Sequence, residues 1–254
     1  MEVSAQFRGG RRGFFNTRMS RPEDVDGRFQ FCRIAYNSGG GDGGSWQVDW
    51  PAADINLSIR FSELTKADVS KSKDGNPNTL LVRLTDEVLF SCPLVVMTEV
   101  GRAELSAAEA DRLREYLLKG GFLWADDFWG DYAWDWWEAQ LRQALPAKDF
   151  PIIDLTPTHP LYSSQFVIKE TPQIASINHW YSSGGGTSER GPESATVNTR
   201  AILNSQGHVM VLMTHNTDLG DSFERESEDP QYFYTMSVPG YAFGVNLLLY
   251  AMTH

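Results

Sequence analysis

Cysteine is nearly absent from this chain: Cys32 and Cys92 are the only two in 254 residues. Two cannot build a disulfide framework, and no Cys/His spacing of the zinc-holding kind occurs. Both fall in or beside strand-like apolar runs, so buried free thiols are expected, with a bridge between them left open. Basic residues are also scarce, 22 Lys and Arg against 33 Asp and Glu, for a net charge of −11. That deficit excludes sequence-independent binding to nucleic acid or anionic membrane, which needs positive surface. No apolar run approaches the ~18 residues of a transmembrane helix. Nucleotide signatures are missing as well: a Gly-rich stretch at residues 37–45 (NSGGGDGGS) has neither GxGxxG spacing nor a Walker Lys-Ser/Thr. A surface loop or lid is the plainer reading of it.

What the chain does have is core material, 41% hydrophobic and 12% aromatic residues. Its length is within the range of single α/β domains. Residues 1–27 read as an N-terminal arm: residues 6–27 are basic, Gly-rich and aperiodic, with Phe7, Phe14 and Phe15 as anchors. Val3-Ser4-Ala5 before Gln6 has the small-residue spacing that precedes a signal-peptidase cut. On that cue a periplasmic or extracellular location is expected. Residues 28–254 read as one domain, with no internal repeat and no clear linker.

The organising stretch is residues 94–131. Residues 94–98 are a continuous apolar run, as for a strand buried on both faces. Ser106 and Glu109 form a capping box. Ala107, Ala110, Leu113, Tyr116 and Leu117 recur at helical spacing, and Gly120-Gly121 stops the helix. Residues 122–125 are a second buried strand. The result is a βαβ unit. Around it, strands are expected at 28–36, 80–84, 152–155, 201–204 and 208–214, the last two as a hairpin. Helices are expected after Asp49 (as cap) and Pro51, at 134–145 and at 241–252. Residues 182–193 (SSGGGTSERGPE) read as a low-complexity loop and 222–235 as an acidic one. Strands alternating with helices imply an α/β/α three-layer sandwich on a mostly parallel sheet.

The run MTEVGRAELSAAEADRLREYLLKGGFLWADDFWG, with DWPAADINL and VLFSCPLVVM before it and HNTDLGDSFE and YAFGVNLLLYAMTH after it, resembles the bacterial family known as domain of unknown function 4159. The resemblance covers residues 28–254. It implies a flavodoxin-like fold of the class I glutamine amidotransferase-like superfamily, near the ThuA-like proteins, and an exported setting. It implies no activity. Where the family often shows a Gly-His-Gly turn, this chain has Thr98-Glu99-Val100-Gly101. The amidotransferase reaction is not expected: it needs a Cys at a strand-to-helix elbow, and here that elbow carries Asp126-Asp127 while Cys92 sits at a strand start.

In open parallel sheets ligands bind outside the carboxyl ends of the strands. That rule nominates Glu99, then Asp126, Asp127, Trp129 and Asp131 from one loop, with His215, Asn216, Asp218 and Asp221 from another. Carboxylates with a His suit a hard or borderline divalent cation able to activate water, but no motif of known metal specificity occurs, so no metal ligand or cofactor is assigned. Paired carboxylates suit acid–base hydrolysis. Each Asp also has a plain structural use, as a helix cap or an Asx-turn tie. Trp129, beside Gly130 in a loop, reads as exposed and able to stack on a sugar face. His159 and His179 read as loop ties. The leading expectation is non-catalytic binding of a small polar or carbohydrate-like ligand, or a scaffold role in the envelope; the alternative is a metal-assisted or acid–base hydrolase.

Overall fold

A computed structural model describes residues 18–254. The signal-peptidase cue and Phe7, Phe14 and Phe15 lie outside the described residues. In chain order the elements are β1 (Phe31–Ile34), β2 (Asn37–Ser38), α1 (Ala52–Thr65), β3 (Thr79–Val82), β4 (Leu94–Thr98), β5 (Ala103–Glu104), α2 (Ala107–Leu118), β6 (Phe122–Asp126), α3 (Gly130–Ala144), β7 (Ile153–Asp154), α4 (Ile177–Ser182), β8 (Asn198–Leu203), β9 (Val209–His215), α5 (Leu219–Glu224), α6 (Pro230–Tyr232) and α7 (Val238–Thr253). Seven strands form one sheet in the order β3-β1-β4-β6-β9-β8-β7, and β2 and β5 make a separate ribbon. β3, β1, β4, β6 and β9 run parallel. β8 returns antiparallel to β9 and β7 antiparallel to β8.

The sheet exists because its central strands carry apolar side chains on both faces. All five residues of β4 and all five of β6 are buried. Alternation divides them between two cores. Val95, Met97, Leu123 and Ala125 pack with Leu113 and Leu117 of α2 and Trp137 and Leu141 of α3. Leu94, Val96, Phe122 and Trp124 pack with Leu57 and Phe61 of α1, Phe223 of α5 and Phe243 and Leu247 of α7. Helices therefore cover both faces, the layering that the alternating pattern implies. The capping box of α2 forms as expected: Ser106 accepts from the Glu109 N–H and the Glu109 carboxylate from the Ser106 N–H.

Several segments differ from the sequence reading. Cys32 and Cys92 are not free thiols; they form a disulfide with Cα atoms 6.1 Å apart. β1 pairs with β4 at Cys32 and Val95, which brings Cys92, just ahead of β4, against Cys32. Residues 222–235, acidic in composition, are mostly helical. Asp218 caps α5 and Asp229 caps α6, each accepting a backbone N–H of its first turn. Residues 182–193 are held by carboxylates: Glu189 accepts the Ser176 N–H at 2.6 Å and Glu193 the Asp131 N–H at 2.7 Å. Asp49 does not cap α1 with its side chain, since no side-chain bond is made at that terminus. Its carboxyl group is turned instead toward the carboxyl rim of the sheet.

Candidate functional site: an acidic carboxyl rim

Because β1, β4, β6 and β9 are parallel, their carboxyl ends share one rim. Three of these strands leave it through a non-glycine residue in the left-handed region: Glu99 after β4 (φ 53°), Asp127 after β6 (φ 56°) and Asn216 after β9 (φ 65°). Such residues cost on the order of 1–3 kcal/mol each and cluster at functional sites. The two acidic turns, ninety residues apart in the chain, do meet. β6 and β9 are neighbours, and the Asp126 carboxylate accepts the Thr214 hydroxyl (2.5 Å) and the backbone N–H groups of Leu219 (3.0 Å) and Gly220 (3.3 Å).

Around Asp126 lies a closed acidic chamber. Asp49, Asp126, Asp127, Asp218 and Asp221 are all buried. Asp127 accepts the Trp129 indole N–H at 3.0 Å. Asp218 accepts the Asp221 N–H at 2.8 Å, and Asp221 accepts the Ile177 N–H at 2.6 Å. Asp49, Asp218 and Asp221 each bring a carboxylate oxygen within 4.8 Å of the other two. The Asp49 Oδ2 atom is buried without a hydrogen-bond partner. Gly220 faces it so closely that a Cβ there would stand 2.3 Å from that oxygen. The Gly-rich loop roofs the neighbouring Glu99: a Cβ on Gly43 would lie 2.1 Å from the Glu99 Oε2. Asp42 ties that loop to Arg190 at 2.6 Å, and Arg102 donates to the Gly43 carbonyl at 3.2 Å.

Electrostatics follow from burial without matching cations. Burial pushes Asp126 up to about 7, against the hydrogen bonds from Thr214, Gly220 and Leu219. Burial pushes Glu99 up to about 7, with the charges of Glu189 and Asp42 adding to it and the Gly44 N–H opposing it. Burial raises Asp49, Asp127 and Asp218 well above the usual carboxylate range, reinforced by the charges they exert on one another. A carboxyl group raised in this way carries its proton when folded and loses it near 4 when unfolded. Folding then takes up protons, so the stabilisation is complete below that unfolded value and is lost as pH rises through 7. His215 has the opposite sign: burial lowers it to about 4, so its share is present above about 6.5 and lost as pH falls toward 4. In chelator, Tm is expected to fall from about pH 6 to about pH 8, and Asp126→Asn should flatten that fall. A flat wild-type profile, read by differential scanning calorimetry, would remove the buried proton from Asp126.

Other nominated residues do not join the chamber. Strand alternation points Thr214 to one face and His215 to the other. His215 lies between Phe128 and Trp134, ring centroids 4.9 and 5.5 Å away, with Nε2 3.0 Å from the Gly130 carbonyl. Asn216 is a structural tie, accepting the Gly130 N–H and donating to the Thr196 carbonyl, both at 2.8 Å. Asp131 is exposed, outside the chamber. Trp129 is only 7% exposed and offers no open face for stacking. The residues missed by sequence reasoning are Asp49, Thr214 and Gly220. One signal pointed to Asp49: it ends the loop leaving β1, the one parallel strand whose carboxyl end had been given no acidic residue.

Beyond the Asn216 turn the rim opens into a cleft of about 460 Å³. It is lined at one end by Asp154 and Leu155 after β7 and at the other by Thr196, Asn198 and Thr199 entering β8. Behind them three hydroxyls form a chain, Tyr162 to Thr171 at 2.9 Å and Thr171 to Thr199 at 2.5 Å. Gln173 connects cleft to turn by donating to the Asn216 carbonyl at 3.1 Å.

The fold and rim together define an α/β domain of seven strands, helices on both faces, with its polar machinery at the carboxyl edge. The profile described as "Domain of unknown function (DUF4159)" matches residues 30–252, and the chain belongs to that family. No curated protein matches the chain.

Proposed function

We propose that this chain is an exported binding domain whose carboxyl rim takes a small, neutral, polyhydroxylated ligand in the open cleft, without altering it. The observation that carries this reading is the Tyr162–Thr171–Thr199 hydroxyl chain lining a recess of ligand size at the rim. The lining includes Asp154 and Glu170 but no lysine or arginine, which disfavours anions. Leu155 and Pro157 supply apolar contact for C–H faces. The stacking role expected of Trp129 has no place in this reading.

A flavodoxin-like placement is supported by strand order. Counted among themselves in chain order, the five parallel strands run 2-1-3-4-5, the doubly wound order whose switch point lies beside the first strand. The Gly-rich loop and Glu99 leave the sheet at that point. Export is supported by the Cys32–Cys92 bridge, since disulfides persist in oxidising compartments.

Isothermal titration with glucose, N-acetylglucosamine and myo-inositol tests the reading, with inorganic phosphate as the contrast. At least one polyol is expected to bind saturably while phosphate does not, and Thr199→Val should weaken it by about five-fold, one hydrogen bond's worth. No saturable polyol binding, or tighter phosphate binding, defeats it. A second reading, acid–base hydrolysis, is favoured by Glu99 and Asp126, both of which exchange protons near neutrality. Release of p-nitrophenol from glycosides, lost in Asp126→Asn, would decide for it.

A further inference from the structure

We infer that the closed acidic chamber is a binding site for one hard divalent cation of calcium's class, held by Asp49, Asp218 and Asp221. This stands apart from the cleft reading, because the two recesses lie on opposite sides of the Asn216 turn and share none of these residues.

A cluster of carboxylates alone does not make a metal site, since acidic groups also gather for capping. Two of these three have such work. Asp218 caps α5, and Asp221 accepts from Ile177 and from the Tyr232 hydroxyl at 3.3 Å. Asp49 differs. It is 7% exposed, and its Oδ2 faces Asp218 and Asp221 with no donor to satisfy it. A buried carboxylate oxygen without a partner is an expensive group. Its neighbours are further oxygens, which can only repel it. A second orphan sits on the same rim: Thr98 Oγ1 is buried without a partner and Thr98 is in register with Asp126. The side chains of this chamber therefore hold surplus acceptors, and a cation is the species that uses them.

No protein cation is free to do so. Arg33 is committed to Asp54 and to the Trp46 and Val48 carbonyls. Arg225 reaches Asp221 at 3.4 Å but makes its shorter contacts, 2.7 Å each, with Glu224 and Glu228. Gly220 adds a spatial argument. Any side chain there would fill the space in front of Asp49, so the fold keeps a gap where the three carboxylates converge.

The donor set selects the ion. All three ligands offer oxygen, and the nearest histidine, His215, is turned to the other face of the sheet. Oxygen-only sites favour calcium, magnesium or manganese over zinc or copper. Calcium–oxygen distances of ~2.3–2.6 Å let opposite ligands stand up to about 5 Å apart. Three oxygens within 4.8 Å of one another meet that span with side-chain adjustment alone. Magnesium, at ~2.0–2.1 Å with near-ideal octahedral demands, needs a tighter set.

The test uses the disulfide-intact chain stripped with a chelator. Calcium and magnesium are titrated by calorimetry, and terbium is followed by luminescence excited through the nearby tryptophans. One calcium per chain is expected, at about micromolar affinity, with magnesium weaker and terbium displaced by calcium. Asp49→Asn should lower calcium affinity by at least about thirty-fold, whereas Asp131→Asn, outside the chamber, should leave it unchanged. Stripped of metal, Asp49→Asn should melt at or above the wild-type temperature, because it removes one of several mutually repelling charges. A purely structural Asp49 would give the reverse, a lower apo Tm and no change in metal gain. Gly220→Ala, which crowds the same oxygen from the opposite side, gives an independent variant and should also lose calcium binding. Absence of saturable binding up to millimolar calcium, or wild-type affinity in Asp49→Asn, overturns the inference.

Discussion

Arg33→Met is expected to lower unfolding free energy by about 3–5 kcal/mol, the range found when one partner of a buried ion pair is removed. Arg33 and Asp54 are 3% and 0% exposed in their side chains, joining β1 to α1 on the face that carries the acidic chamber. The guanidinium presents a fork: Nε lies 3.1 and 3.0 Å from the two Asp54 oxygens, and Nη2 lies 2.5 Å from Oδ1. The remaining nitrogen, Nη1, donates to the carbonyls of Trp46 and Val48 at 3.3 and 3.2 Å. Truncation strands the Asp54 charge in the core and leaves two carbonyls without a donor. Arg33→Lys should recover little, because a point charge on a flexible stem cannot reproduce the planar fork. The double replacement Arg33→Met with Asp54→Leu should regain most of the loss, since apolar residues of similar volume often replace a buried pair at no net cost. Urea denaturation monitored by tryptophan fluorescence measures all three. A single-variant loss under about 1 kcal/mol would mean that the pair is no better than a surface bridge. The same change reaches the candidate site, because the Trp46 and Val48 carbonyls hold the segment that delivers Asp49. Calcium affinity should therefore drop in Arg33→Met although Arg33 is no ligand.

The βαβ unit from β4 to β6 was legible because each of its parts is written locally: an unbroken apolar run, a capping box, helical periodicity, a Gly-Gly stop. Its consequence, carboxylates along one rim, follows from parallel strands alone. What the sequence hid depended on contacts between distant segments. Asp49, before Trp50-Pro51, has the local look of a helix cap, and only the packing of α1 against α5 turns it toward Gly220. His215 and Thr214 are successive strand residues and so point to opposite faces, but which one faces the chamber depends on the pairing of β9 with β6. Trp129 looked exposed from its glycine neighbour; its indole N–H is spent on Asp127 instead. The acidic composition of residues 222–235 suggested a loop, whereas two aspartate caps, Asp218 and Asp229, are enough to start short helices there. The disulfide needed the β1–β4 register, which no pattern in either strand specifies.

Reducing the Cys32–Cys92 bridge is expected to cost about 4 kcal/mol, the chain entropy released when a cross-link over some 60 residues is opened in the unfolded state. The effect belongs mainly to the unfolded chain, because both cysteines stay in the same apolar core when reduced, at 1% and 3% exposure. That burial also sets the kinetics: a thiolate cannot reach the bridge without opening the β1–β4 edge, so reductant alone should leave the native chain oxidised until denaturant is added. Guanidinium denaturation with and without reductant reads the difference in midpoint, and thiol titration confirms the redox state. The bridge sits at the amino end of β1 and β4, while the acidic chamber occupies the opposite rim. Reduced protein that remains folded should therefore bind calcium as tightly as oxidised protein, although it unfolds at a lower denaturant concentration. Arg33→Met should lower both stability and affinity, because it acts at the rim itself. If reduction weakened calcium binding as much as it weakened the fold, the chamber would not be an independent site on a rigid edge. A shift of less than about 1 kcal/mol on reduction would instead mean that the two cysteines are not bridged in solution, and the support they lend to export would go with it.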